Sequence, residues 1–183
     1  MAEQPDDKLL MERVKSGDSD AFEQIFRKYE RSILNFFYRL CFSQTLAEDL
    51  TQETFLRLWR SRHSFKPDAG RFTTYLFQIA KHRWYSHSQT KKYKAQKSAG
   101  EPGDLQDLAV ASPGLDIESR ELQQKLREAI GLLPEEMRIP FILSRYEGLR
   151  YEDIGQVLEM SPRSVERKVS DAARLLAKRL IGK

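Results

Sequence analysis

The sequence predicts an all-α protein of two helical domains joined by a flexible linker, the C-terminal domain carrying a helix-turn-helix. Three observations predict it. Apolar residues recur at steps of three and four along most of the chain, the spacing of one helix face. No alternating run of useful length for a strand interrupts them. Between residues 93 and 117 the periodicity fades into a stretch rich in Gly, Pro, Ala and Ser, the composition of an interdomain linker. The division that follows is a tail over 1–17, a first domain over 18–92, the linker over 93–117 and a second domain over 118–183.

The first helix is predicted over 20–40, where Phe22, Ile25, Phe26, Tyr29, Ile33, Phe36, Phe37 and Leu40 share one face. Asp20 with Glu23 resembles a capping box at its start. A second helix covers 45–62, with Leu46, Leu50, Thr54, Phe55, Leu58 and Trp59 available to a core. Lys66 to Gly70 reads as a loop because Pro and Gly both interrupt helices. A third helix covers 71–92; its first half is apolar at Phe72, Tyr75, Leu76 and Ile79, and its second half is basic and aromatic. After the linker, helices are predicted at about 119–131, 135–147, 151–159 and 162–180, punctuated by Gly131, Pro134, Gly148 and Pro162. Ser161 followed by Pro162 is a good N-cap and first-turn pair.

Composition excludes several classes. Mean hydropathy is −0.62, and no apolar run approaches the roughly 18 residues of a membrane span, so no membrane insertion is expected. Met1 to Lys8 contains Asp6 and Asp7 and no apolar segment, so a signal peptide is not expected either. The one cysteine, Cys41, permits no intrachain disulfide, which fits a cytoplasmic protein. Signals for an enzyme are poor. His63, His82 and His87 are the only histidines, and His82 and His87 are five apart, off the spacing that presents two metal ligands from one helix face. Cys41 sits in an apolar Leu-Cys-Phe context, and there is no Gly-rich phosphate loop. No metal, cofactor or catalytic residue is expected.

Net charge is +4, a mild pointer to a polyanion, and its placement says more than its size. In the segment 151–181, a short amphipathic helix with Ile154, Val157 and Leu158 inward is followed by a tight turn at Glu159, Met160 and Ser161 and then by a longer basic helix. That is the form of a helix-turn-helix, whose second helix enters the major groove with its N-terminal residues. Here those residues are Arg163, Ser164, Glu166, Arg167, Lys168 and Ser170, with Val165, Val169, Ala172 and Leu176 as the buried stripe. Arg suits guanine edges, Lys suits phosphates and Glu accepts from cytosine. The alternative is an ordinary solvated helical hairpin.

A second basic segment spans 81–97. Lys81, Arg83, Lys91, Lys92, Lys94 and Lys97 occur with no acid among them, interleaved with His82, Trp84, Tyr85, His87 and Tyr93. Cations track phosphates and aromatic faces stack on unpaired bases, a combination suited to single-stranded or opening DNA. The alternative is a solvated helix end with a few core aromatics. A third segment, Ala47 to Glu53, is acidic and repels phosphate. It reads either as a face for docking a basic protein partner or as a plain exposed helix face.

Taken together, these segments resemble the extracytoplasmic-function group of sigma factors, over about residues 18–92 and 118–181. The most specific match is AEDLTQETFLRLW, residues 47–59, which is similar to the family's polymerase-binding helix. The resemblance implies that Glu48, Asp49, Leu50, Gln52, Glu53 and Leu56 help dock core RNA polymerase. It implies that the helix holding Lys81, His82, Arg83, Trp84, Tyr85, His87, Lys91 and Lys92 handles the minus-ten promoter element. In the C-terminal part, Leu133, Pro134, Phe141, Leu143, Glu147, Gly148, Leu149, Tyr151, Ile154, Leu158, Ser161 and Val165 match the skeleton of the family's minus-thirty-five domain. That implies promoter DNA as a partner of the recognition helix, an anti-sigma factor as a further partner, and catalysis left to the polymerase. The chain departs from the pattern at His82, where Asn is usual, at Ser86, where Asp is usual, at Arg150, where Ser or Thr usually caps a helix, and at Glu166-Arg167-Lys168. A stand-alone helix-turn-helix regulator is the rival reading, and it has no use for the acidic face.

Overall fold

The computed structural model describes residues 6–97 and 117–181, and all regular structure among them is helical. The helices are α1 (Asp7–Lys15), α2 (Ser19–Cys41), α3 (Gln44–Arg60), α4 (Phe72–Lys97), α5 (Ile117–Gly131), α6 (Glu135–Arg145), α7 (Tyr151–Leu158) and α8 (Pro162–Ile181). The chain forms two compact units. One gathers the residues up to Asn35 with those from Glu48 through α4; the other gathers Phe36–Ala47 with α5 to α8. The expected domain over 18–92 is one continuous stretch, whereas this partition assigns the α2–α3 corner to the C-terminal helices.

In the first unit α1 corrects the expected tail. Its Leu10, Met11 and Val14 are buried, and the spacing i, i+1, i+4 puts them on one side of a helix. Asp7 ties α1 to α2: Lys28 Nζ reaches its Oδ1 at 2.7 Å, and the Tyr29 hydroxyl donates to its Oδ2. The start of α2 also differs from expectation. Asp18 Oδ1 accepts from the N–H groups of Asp20 and Ala21, each at 3.0 Å, so Asp18 is the cap. Glu23, which would have completed the box, pairs with Arg27 one turn on. Between α3 and α4 the loop runs through two short 3-10 turns, Arg62–Ser64 and Pro67–Ala69, and then Gly70 at φ 150°. α4 continues to Lys97, five residues into the stretch expected as linker; the rest of that stretch up to 116 lies outside the described residues.

In the second unit α8 packs on α5, α6 and α7. The expected stripe is the one buried: Val165, Val169 and Ala172 are fully covered and Leu176 is 4% exposed. α6 stays continuous through Pro140 although that ring has no N–H to offer the Glu136 carbonyl. Burial of Ile139, Phe141, Ile142 and Leu143 around it holds the helix together. α7 ends at Glu159 in the left-handed conformation, φ 57°, and Met160 N–H closes the turn on the Gly155 carbonyl at 3.0 Å. That closure leaves no room at Gly155, where a Cβ would lie 2.6 Å from the Met160 carbonyl oxygen.

Two stability predictions follow from these contacts. Gly155→Ala ordinarily gains about 1 kcal/mol inside a helix, but here the clash with backbone should cost about 1–3 kcal/mol net. Thermal unfolding should show a lower Tm; an unchanged or higher Tm would mean that the turn yields freely. Tyr29→Phe removes a hydrogen bond to a carboxylate and should cost about 1.5 kcal/mol at neutral pH. Burial first, then the Asp7 carboxylate, pushes the Tyr29 phenol up from its ordinary value of 10.0. A folded-state value above the unfolded one means that the stabilisation is whole below about pH 10 and is lost progressively above it. Urea unfolding of the two proteins should therefore converge as the pH rises past about 10.

Candidate nucleic-acid interfaces and an acidic docking face

On α3, burial of Ala47, Leu50, Thr51, Thr54, Phe55 and Leu58 fixes the phase of the helix. Thr54 meets the requirement of its buried hydroxyl by donating to the Leu50 carbonyl at 2.7 Å. Glu48, Asp49, Gln52, Glu53 and Leu56 are left facing solvent, at the i, i+3, i+4 spacing of one face. Leu50 departs from the expected docking set: at 3% exposure it is core. Its position one turn before Thr54 and two turns before Leu58 carries that signal. Leu56 is the opposite case, an apolar side chain 54% exposed among acids. It borders a groove of about 470 Å³ lined also by Ser19, Phe22, Phe26, Gln52, Phe55 and Trp59. The spacing of Phe22 and Phe26 puts both on the apolar face of α2. They pack against the α3 aromatics, Phe22 at 5.1 Å from Trp59 and Phe26 at 4.8 Å from Phe55, and still line the groove.

α4 sorts its expected nucleic-acid residues into two groups. Lys81 and Trp84 are buried, at 5% and 8% exposure. Phe77, Ala80, Lys81 and Trp84 lie at i, i+3, i+4 and i+7, so the apolar stripe runs on past Ile79 and takes these two inward. His82 is exposed, whereas Arg83, Tyr85 and His87 are half-buried. The Arg83 guanidinium approaches Glu53 of the acidic face at 4.0 Å. The His87 ring lies 6.4 Å from that of Trp84. Ser86 is exposed. Lys91 and Lys92 fall within α4, but their side chains, with those of Tyr93, Lys94 and Lys97, lie outside the described residues. The rings that solvent reaches among the described residues of this segment are therefore His82, Tyr85 and His87, not Trp84.

In the helix-turn-helix, Ser161 caps α8 as expected: its Oγ accepts from the Ser164 N–H at 3.2 Å, with Pro162 in the first turn. Arg150, at the start of α7, makes no side-chain cap; its Nε lies 3.6 Å from Asp153 Oδ2. Arg163, Glu166, Arg167 and Ser170 point to solvent. With Ser161 and Ser164 they line a surface depression of about 420 Å³. The Ser164 hydroxyl is drawn to that of Ser161 at 2.9 Å, so it serves the cap as well as the surface. Lys168 is turned aside: its side chain is 19% exposed and its Nζ lies 2.9 Å from Glu136 Oε2 on α6. It flanks the buried stripe next to Val165, Val169 and Ala172. Hydrogen bonding and charge from Lys168, with a smaller pull from Arg167, hold the Glu136 carboxyl below the usual carboxylate range.

Among the described residues no group of three or more metal-ligating side chains is gathered, and no helix is long and apolar enough to cross a membrane. What the geometry presents is an acidic face with an apolar groove, a helix edge of aromatic and basic residues, and a basic recognition helix.

Comparison with known proteins agrees with that inventory. The Sigma-70 region 2 profile matches residues 25–93 and the Sigma-70, region 4 profile matches residues 123–176. RNA polymerase sigma factor CarQ of Myxococcus xanthus is 32% identical over 83% of this chain and 84% of its own length. The ECF RNA polymerase sigma-E factor of Haemophilus influenzae is 28% identical over 98% of each chain. The sigma factor RpoE of Bartonella quintana, solved in complex with the anti-sigma factor NepR, superposes with a TM-score of 0.75 at 24% identity, covering 88% of this chain and 98% of that one. The chain belongs to the extracytoplasmic-function group of the sigma-70 family, the sigma factors of bacterial RNA polymerase.

Proposed function

We propose that this sigma factor divides promoter recognition among the three surfaces. The acidic face of α3 docks core RNA polymerase through Glu48, Asp49, Gln52, Glu53 and Leu56. The observation that carries this assignment is Leu56, 54% exposed one turn beyond Glu53 and opening onto an apolar groove. A stand-alone regulator would gain nothing from such a face. Anchoring energy comes from apolar side chains entering pockets, and the surrounding acids select a basic partner and speed the encounter.

The solvent edge of α4, with His82, Arg83, Tyr85 and His87, handles the minus-ten element, joined by Lys91 and Lys92. Unstacking a base costs a few kcal/mol, and stacking on Tyr85 offsets part of it. On α8, Arg163, Glu166, Arg167 and Ser170 read the minus-thirty-five element in the major groove. The helices through α4 and those from α5 onward engage one promoter element each. Catalysis belongs to the polymerase, the protein itself is not an enzyme, and it works in the cytoplasm, where its partner is. An anti-sigma factor is a further partner; the similarity to a Bartonella sigma factor solved with NepR supports this.

Asp49→Arg should weaken binding to core RNA polymerase by at least about tenfold, roughly 1.4 kcal/mol, with co-elution on a sizing column lost. A folded wild type that fails to co-elute would sink the docking assignment and favour the stand-alone regulator. On α4, Tyr85→Ala should slow promoter opening, read by permanganate footprinting, with little change in Tm. Trp84→Ala should instead cost about 3–5 kcal/mol of stability. Equal effects of the two on opening, at equal stability, would return Trp84 to the DNA-facing set.

A further inference from the structure

Lys168 stands on the recognition helix but does not face where the others face. Its side chain is 19% exposed, and its ammonium lies 2.9 Å from Glu136 Oε2. Glu136 is 66% exposed, so its carboxylate is held at the surface beside α8. Pro140 leaves the Glu136 carbonyl without its intrahelical donor, at the turn of α6 that carries this side chain. An exposed ion pair contributes little to folding stability. Its consequence for DNA is larger. Each cation that reaches a phosphate adds about 0.9 to the slope of log affinity against log salt, whatever the sequence. A cation tied to a carboxylate adds nothing, and the carboxylate itself repels phosphate.

We infer that Glu136 is a brake on sequence-independent DNA binding: it holds Lys168 out of the set of phosphate-contacting cations, leaving Arg163 and Arg167 as the cations that the first half of α8 presents to DNA. This rests on the assignment of α8 as the DNA-reading helix. Hydrogen bonding and charge from Lys168, with a smaller pull from Arg167, also hold the Glu136 carboxyl below the usual carboxylate range.

The test uses the full chain and a random-sequence DNA duplex, with affinity measured from low to moderate salt. Glu136→Gln should raise affinity about threefold to tenfold at low salt and steepen the salt slope by about one. Lys168→Ala alone should leave slope and affinity close to wild type, because that amine is not on a phosphate. In the double variant the gain should vanish. A slope that falls by about one in Lys168→Ala overturns the inference, since Lys168 would then be a phosphate contact already. A gain from Glu136→Gln that survives in the Lys168→Ala background also overturns it, assigning the effect to carboxylate repulsion alone. An unchanged slope in Glu136→Gln overturns it as well. The Lys168→Ala result stands by itself if Glu136→Gln folds poorly. Arg163→Ala with Arg167→Ala is the control: if that pair leaves DNA binding intact, the reading of α8 has failed and not the role of Glu136.

Discussion

Burial of a single stripe on α8 decides what the C-terminal unit shows to the outside. Val165, Val169, Ala172 and Leu176 are covered by α5, α6 and α7. Each large aliphatic among them is worth about 1.5–3 kcal/mol when buried, whereas a surface ion pair is worth about 0–1 kcal/mol. Packing therefore sets the rotation of the helix and charge adapts to it. At about 100° per residue, that rotation sends Arg163, Arg167 and Ser170 outward and Lys168 to the flank, where Glu136 meets it. The tight closure at Gly155 then fixes where α8 starts, since Met160 must reach the Gly155 carbonyl.

The same logic runs through the first unit. α3 buries two threonines along with its apolar residues, which widens its covered side and narrows the solvent side to a face dense in carboxylates. Leu56 is the exception on that face, and an exposed leucine beside an apolar groove makes an anchor where carboxylates alone would only steer. α4 spends more of its length in the core than its basic composition implies. Lys81, 5% exposed, is covered as a whole on the same stripe as Phe77 and Trp84.

The helices and the helix-turn-helix were legible because each rests on local periodicity and local turn chemistry: the α8 stripe, the Ser161 cap and the Glu159–Ser161 turn all came directly from spacing. The misses share a cause. α1 reads as a tail in the sequence although Leu10, Met11 and Val14 carry the pattern, because nine residues make a weak signal until a second helix covers them. Leu50 enters the docking set only through the family resemblance, since its spacing already counts it with the core, whereas Lys81 and Trp84 read as DNA-facing from their chemistry although their phase within the helix takes them inside. Asp20 resembles a cap because Glu23 lies three residues on, but the cap is set by backbone geometry at Asp18. The Glu136–Lys168 pair spans 32 residues, and no local rule reaches that far.

Charge accounting connects these parts. The recognition helix is rich in cations, yet one of them is tied within the protein, Lys168 on Glu136, whereas Arg174 stays exposed beside Asp171. Since non-specific affinity grows with the number of cations free to meet phosphate, each cation withdrawn weakens the hold of α8 on an arbitrary duplex. A weak reader is still effective when a second contact keeps it near its site, because linked sites act at effective concentrations in the millimolar range. With two DNA-facing surfaces and a docking face on one chain, tight and selective binding then requires that several engage together. Selectivity then belongs to the assembled complex, and with Glu136 as a brake on Lys168 the free subunit gains less from an arbitrary duplex.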